Sequence, residues 1–253
     1  MVFVEQWKET ATRPGDPSLS SLGHVQARET GRFLDSVLAA EGISAKNVIL
    51  LSSPFLRCVQ TSNEILSQFR ETSGDVAETV SIKPENSIFE FDRNGWGKYH
   101  QDLPTLSERK CYFPRLDENH SSLFEPSLPE SAEAFLQRCE KAIVQLNQSY
   151  PYDENGPDKV VILVTHAAGC VGLAKAASGK QLQDVNASPP CGIYRLTRTT
   201  NGEIWDMDHF AKENGMNAYC KHITDMGEST IPWNHFGPKD VNDGYSGPAP
   251  LRN

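Results

Sequence analysis

Two runs of β-forming residues constrain this chain more than anything else in it. They are Asn47-Val48-Ile49-Leu50-Leu51-Ser52 and Lys159-Val160-Val161-Ile162-Leu163-Val164-Thr165. Neither alternates polar with apolar residues, so each reads as a strand covered on both faces, the signature of a parallel sheet between helices. Helical patterns follow both. One helix is expected from Phe55 to Phe69, and another from Ala168 to Ala177 that stops at Ser178-Gly179. Ahead of the first run, Leu22, Val25, Phe33, Val37 and Leu38 keep helical spacing between Ser20 and Ala40. Ser20 or Ser21 can cap that helix, and Gly42 ends it.

A further helix is expected from Ser131 to Leu146, with Phe135, Cys139, Ile143 and Leu146 on one face. Ser127-Leu128-Pro129-Glu130 before it reads as a capping box with proline near the first helical position. Thr200-Asn201-Gly202 between Ile193–Thr199 and Glu203–Met207 reads as a hairpin turn. The expected fold class is α/β, a three-layer α/β/α arrangement around a mostly parallel central sheet. Residues 1–236 are expected to form one domain, interrupted by a polar insertion at about 91–128, and 237–253 an irregular tail.

At 253 residues the chain can bury one large core. No apolar run approaches the roughly 18 residues of a membrane span. Its net charge of −9 opposes binding to a polyanionic backbone, so no direct nucleic-acid contact is expected, but it leaves room for one local basic pocket. The six cysteines are at least 21 residues apart and form no CxxC pair. Met1-Val2-Phe3-Val4-Glu5 is too short and too acidic for a signal peptide. The expectation is therefore a cytoplasmic or nuclear protein with reduced thiols. No His or acidic cluster has metal-ligand spacing, and no cofactor is expected.

Chemistry is expected where the strands end. Arg57, in Ser52-Ser53-Pro54-Phe55-Leu56-Arg57, sits in the first turn of a helix after a buried strand. Helix N-termini favour anions, and a guanidinium fork matches phosphate oxygens. An arginine there opposes the helix dipole, a conflict that a recruited anion resolves. His166 has the same address after the second strand, and open α/β sheets place ligands at the carboxyl ends of their strands. Glu90 lies between Phe89 and Phe91, where an apolar surround would raise its pKa and make it a general acid, or where it is simply a solvated residue of an alternating strand.

The segments "DPSLSSLGHVQARETGRFL", "LLSSPFLRCVQTSNEIL", "SIFEF", "PESAEAFLQRCEKAI" and "VVILVTHAAG", in that order, resemble the histidine phosphatase superfamily, also called the phosphoglycerate mutase-like group. Phe-Glu followed by a long insertion, together with His-Ala-Ala, is most similar to the branch of ecdysteroid-phosphate and T-cell-signalling phosphatases. The resemblance implies phosphomonoester hydrolysis through a phosphohistidine. It implies Arg57 and His166 as the phosphate-binding pair, and Glu90 with His166 as catalytic groups. A phosphate ester or a phosphoprotein would be the substrate. The segment Phe91 to Leu128, with Arg93, Trp96, Lys98, Tyr99, Lys110 and Arg115, would lid the pocket and select that substrate.

One departure is large. The nucleophile of that family lies in an Arg-His-Gly motif before the "DPSLSSLG" segment, and this chain has no Arg-His-Gly and no histidine before His24. His24 lies within the helix that follows and is not a substitute. Either Glu5-Gln6-Trp7 replaces the motif, giving a pseudophosphatase that acts as an interaction module or regulatory subunit, or the sequence begins downstream of the motif. Only 14 residues separate Glu5 from Leu19, which favours the second account. On either account the expectation is little or no phosphatase activity from these residues alone.

Overall fold

The computed structural model describes residues 13, 15–69, 80–92, 103–185, 188, 190–198 and 204–207. The expected hairpin turn, the tail, Arg93 to Tyr99 and the positions before Arg13 fall outside them. Three parallel strands form the central sheet: β1 Val48–Ser52, β2 Ile82–Pro84 and β3 Val160–Val164, in the order β2-β1-β3. β1 pairs with β3 in register from Val48↔Val160 to Ser52↔Val164, and with β2 from Leu50↔Ile82 to Ser52↔Pro84.

The lack of polar alternation in β1 has the expected cause. Val48 and Leu50 enter one apolar core with Leu38, Leu56, Val59, Ile65, Leu66 and Ile82. Ile49 and Leu51 enter another with Phe135, Cys139, Ile143, Leu146 and Leu173. Helices α1 (Ser21–Ala40) and α2 (Leu56–Leu66) cover the first face, and α4 (Ala132–Ser149) and α5 (Ala167–Ser178) the second. The short α3 (Leu106–Lys110) precedes α4 in the chain. This is the expected α/β/α layering.

α1 begins as expected: Ser20 accepts from the Gly23 N–H at 3.0 Å. Gly42 beyond its end takes φ +68°, a left-handed turn that suits glycine. Gly179 does the same for α5 at φ +65°. Close approach fixes another glycine, since a Cβ on Gly31 would lie 2.7 Å from the Ile65 carbonyl oxygen, where α1 crosses α2.

Three expectations need correcting. α4 is capped by Ser131, which accepts from the Ala134 N–H at 3.1 Å, and not by Ser127; Glu130 is used elsewhere. Val160 to Leu163 are only half-buried, because among the described residues β3 has a ladder partner on one side alone. Finally, the segment read as a lid also contributes to the core. Phe113 and Leu116 pack under α2, and Ile82 of β2 bonds across to Arg115 and Asp117 at 2.8 Å each. β4 (Leu196–Thr197) and β5 (Asp206–Met207) form the expected antiparallel pair. No helix among the described residues is long and apolar enough to cross a membrane.

Candidate active site

Parallel register brings the ends of β1 and β3 together, because Ser52 lies level with Val164 and the Ser53 N–H donates to the Val164 carbonyl at 2.8 Å. One residue beyond Ser52 and two beyond Val164, Ser53 and His166 meet, with the Ser53 hydroxyl 2.8 Å from His166 Nε2. Arg57, the second residue of α2, turns back over this point. Its Nη2 lies 2.9 Å from His166 Nδ1 and 3.1 Å from Glu90 Oε2. Glu90 Oε2 is 3.1 Å from the same Nδ1. The three residues expected from the sequence therefore converge on one another.

Nδ1 faces a donor, Arg57 Nη2, and an acceptor, Glu90 Oε2, at once, and Nε2 faces a hydroxyl that can donate or accept, so the ring's hydrogen-bonding roles follow its tautomer. Arg57 Nη2 donates to Glu90 Oε2. Burial drives the His166 pKa below its ordinary value, Glu90 opposes that shift, and the neighbouring Arg57 charge adds to it. The neutral ring follows. Aromatic walls complete the enclosure: Phe55 meets the imidazole edge-on at 5.1 Å and carries the Arg57 guanidinium over its own ring at 4.6 Å.

Glu90 departs from expectation. It lies in no strand; it follows a single 3₁₀ turn, Asn86–Ile88, in irregular chain. Burial does push its carboxyl up, but the contacts with His166 and Arg57 and the Phe91 N–H bond at 3.0 Å outweigh that and bring it down to about 2. At neutral pH it is a carboxylate and not a neutral acid. Cys58 is a possible competitor for chemistry, 3.7 Å from His166 Nε2, but burial pushes its thiol up to about 12 and it stays protonated. His24 is remote from this cluster and pairs with Glu64 at 2.7 Å.

Sequence reasoning missed four supporting groups. Ser53 is one. Asp16 is another: its Oδ1 accepts from the Leu56 N–H at 2.6 Å, capping α2 from a distance, while its Oδ2 pairs with the buried Arg109 of α3. Thr165 donates to the Ile88 carbonyl at 2.7 Å. Arg138 pairs with Glu130 at 2.5 Å and reaches the turn that carries Glu90. The motif around each was visible, but these partners are separated along the chain and leave no local pattern.

The N-cap residue of α5 is His166, whose side chain makes no capping bond, so the start of that helix lies at the cluster. A small cleft lies beside it, lined by Gly15, Phe55, Arg57, Phe89, Glu90, Phe91 and Asp92. A cation, a neutral imidazole, an open helix start and a carboxylate at the mouth of an aromatic cleft can hold an oxyanion with an apolar substituent. Among the described residues no group of three or more His, Cys, Asp or Glu is arranged to hold a metal ion.

The chain resembles known proteins along most of its length. The model of the histidine phosphatase superfamily (branch 1) matches residues 5–210. The human ubiquitin-associated and SH3 domain-containing protein A is 28% identical over 232 residues, covering 87% of this chain and 32% of that protein. Its mouse counterpart is 26% identical over 236 residues, covering 87% and 33%. The chain thus spans about a third of the length of these relatives. The crystal structure of the ecdysone phosphate phosphatase from Bombix mori in complex with tungstate superimposes with a TM-score of 0.55 at 24% identity, over 78% of this chain and 76% of that one. Mycobacterial hydrolase 2 does so with a TM-score of 0.50 at 16% identity, over 85% and 89%. Both likenesses show a shared fold.

Proposed function

The chain belongs to the histidine phosphatase superfamily, and from that premise we propose that it binds a phosphate monoester between Arg57, His166 and the start of α5. The observation that carries this reading is the convergence of Arg57 Nη2, His166 Nδ1 and Glu90 Oε2 within 3.1 Å of one another. The Glu90 carboxylate is paired with the Arg57 fork. A phosphoryl group would displace it, because two or three phosphate oxygens satisfy guanidinium and imidazole donors better than one carboxylate oxygen. Glu90 would then lose its cation and face an added anion. Both changes raise its pKa, so it would take up a proton as substrate arrives and be ready to give it to the leaving alcohol. The low value set by His166 and Arg57 is thus compatible with the role of acid.

Hydrolysis by the family's route needs a histidine nucleophile that attacks phosphorus and is later freed by water. The sequence contains no Arg-His-Gly, and His24 is bonded to Glu64 away from the cluster. This observation favours a second reading for the 253 residues by themselves: capture of a phosphate ester or phosphoprotein without turnover, as in a pseudophosphatase serving as an interaction module. Titration with orthophosphate, followed by ³¹P NMR, together with a p-nitrophenyl phosphate assay, tests both. Saturable binding that weakens at least about tenfold in Arg57→Ala, as expected for loss of a charge-assisted pair, supports the pocket. Equal affinity in Arg57→Ala and wild type would remove it. Absence of turnover supports capture, and turnover abolished by His166→Ala would restore the enzymatic reading.

A further inference from the structure

Arg138 sits on the inner face of α4, only 6% exposed, beside Phe135, Cys139 and Ala142 of the apolar core. A buried ion pair is a poor device for stability, since apolar side chains of similar volume usually serve a fold as well or better. What this pair holds explains its presence. Arg138 Nε and Nη2 donate to the two carboxylate oxygens of Glu130 at 2.9 and 2.5 Å. Nη1 donates to the carbonyls of Ser87 at 2.9 Å and Phe89 at 3.0 Å, and Nη2 reaches the Glu90 carbonyl at 3.4 Å. The Glu130 N–H adds the Asp92 carbonyl at 3.1 Å. Residues 89–92 belong to no strand or helix, so no ladder fixes them. The carbonyls of Ser87, Phe89 and Glu90 are instead gathered around one guanidinium whose planar fork sets their spacing.

We infer that Arg138, held by Glu130, is the positioning residue for Glu90: it fixes the backbone from Ser87 to Asp92 so that the Glu90 carboxylate meets Arg57 and His166. The chemical use of that placement rests on the reading of Glu90 given above, but the placement itself can be measured separately. Arg138 touches neither Arg57 nor His166 in the described contacts, and acts through the chain that carries Glu90.

The test is the Glu90 side-chain carboxyl followed by ¹³C NMR against pH in wild type, Arg138→Met and Glu130→Gln, with thermal unfolding recorded for each. In wild type the Glu90 signal stays flat down to pH ~3.5, because its neighbours hold it well below the ordinary carboxylate range. In the variants it should titrate near the ordinary 4.5 instead of about 2. A purely structural role would lower the unfolding temperature and leave the Glu90 titration unmoved, and that outcome overturns the inference. If Arg138→Met does not fold, Glu130→Gln, which keeps volume but replaces one of the two acceptors of Arg138 by a donor, decides the matter by the same reading. Orthophosphate titration of wild type reports on the phosphate pocket independently. Loss of phosphate binding with a shifted Glu90 would fell the proposed function and leave the positioning role standing.

Discussion

Glu90 and His166 share a pH signature although one is an acid and the other a base. Glu90 is drawn below its unfolded value of 4.5 to about 2, and His166 is driven below its unfolded 6.5. In each case the unfolded chain binds more protons than the folded one, so stability rises with pH through both windows. The His166 contribution is complete above pH 6.5 and fades below it; the Glu90 contribution is complete above 4.5 and fades toward 2. Urea unfolding at a series of pH values should therefore show Glu90→Gln with a flatter stability curve than wild type below pH 4.5. A curve parallel to wild type in that window would show that Glu90 is not held by its neighbours. Reading Glu90 from its sequence neighbours gave the wrong sign, because burial raises its pKa while the interactions that decide come first from His166 and then from Arg57, both distant along the chain.

At the level of elements, α2 depends on a residue outside itself. Its N-cap, Phe55, offers no side-chain acceptor, and Asp16 supplies one to the Leu56 N–H while pairing with Arg109, which is 1% exposed. Asp16→Ala should remove that cap and leave a buried cation unpaired, at a cost of about 3–5 kcal/mol by chemical denaturation. Arg57 follows Leu56 directly, so the same variant should weaken orthophosphate binding; full affinity in a destabilised variant would separate the two effects. The long elements were legible in the sequence because they bury regular faces: β1, β3, α1 and α5 appear within a residue or two of their expected limits. β2 was not legible, since three residues ending in Pro84 carry no period, and its place depends on Ser52 and on Leu116 across the chain. The strand ends at Arg57 and His166 were legible by address. The pairs that hold them, Asp16 with Arg109 and Glu130 with Arg138, become visible only when the chain is folded.

For the whole molecule, a net charge of −9 means that an anion must be drawn in locally against a repelling surface. Binding at one such point stabilises the entire fold by mass action, about 2.7 kcal/mol when ligand stands at a hundred times its Kd. At that ratio orthophosphate should raise the unfolding temperature by roughly 5–10 °C for a chain of this size, and Arg57→Ala should abolish the rise. An equal rise in both proteins would place the anion elsewhere.

The bond from Thr165 to the Ile88 carbonyl has a mechanical consequence. Thr165 and His166 are joined by a rigid peptide plane, and the same Thr165 hydroxyl is tied to the turn that leads into Glu90. The backbones that carry imidazole and carboxylate are thereby coupled, and the partly exposed side chains of Arg57 and Glu90 are the remaining degrees of freedom. Arrival of a ligand should be recorded as changes of rotamer at those two side chains, with the frame beneath them standing still.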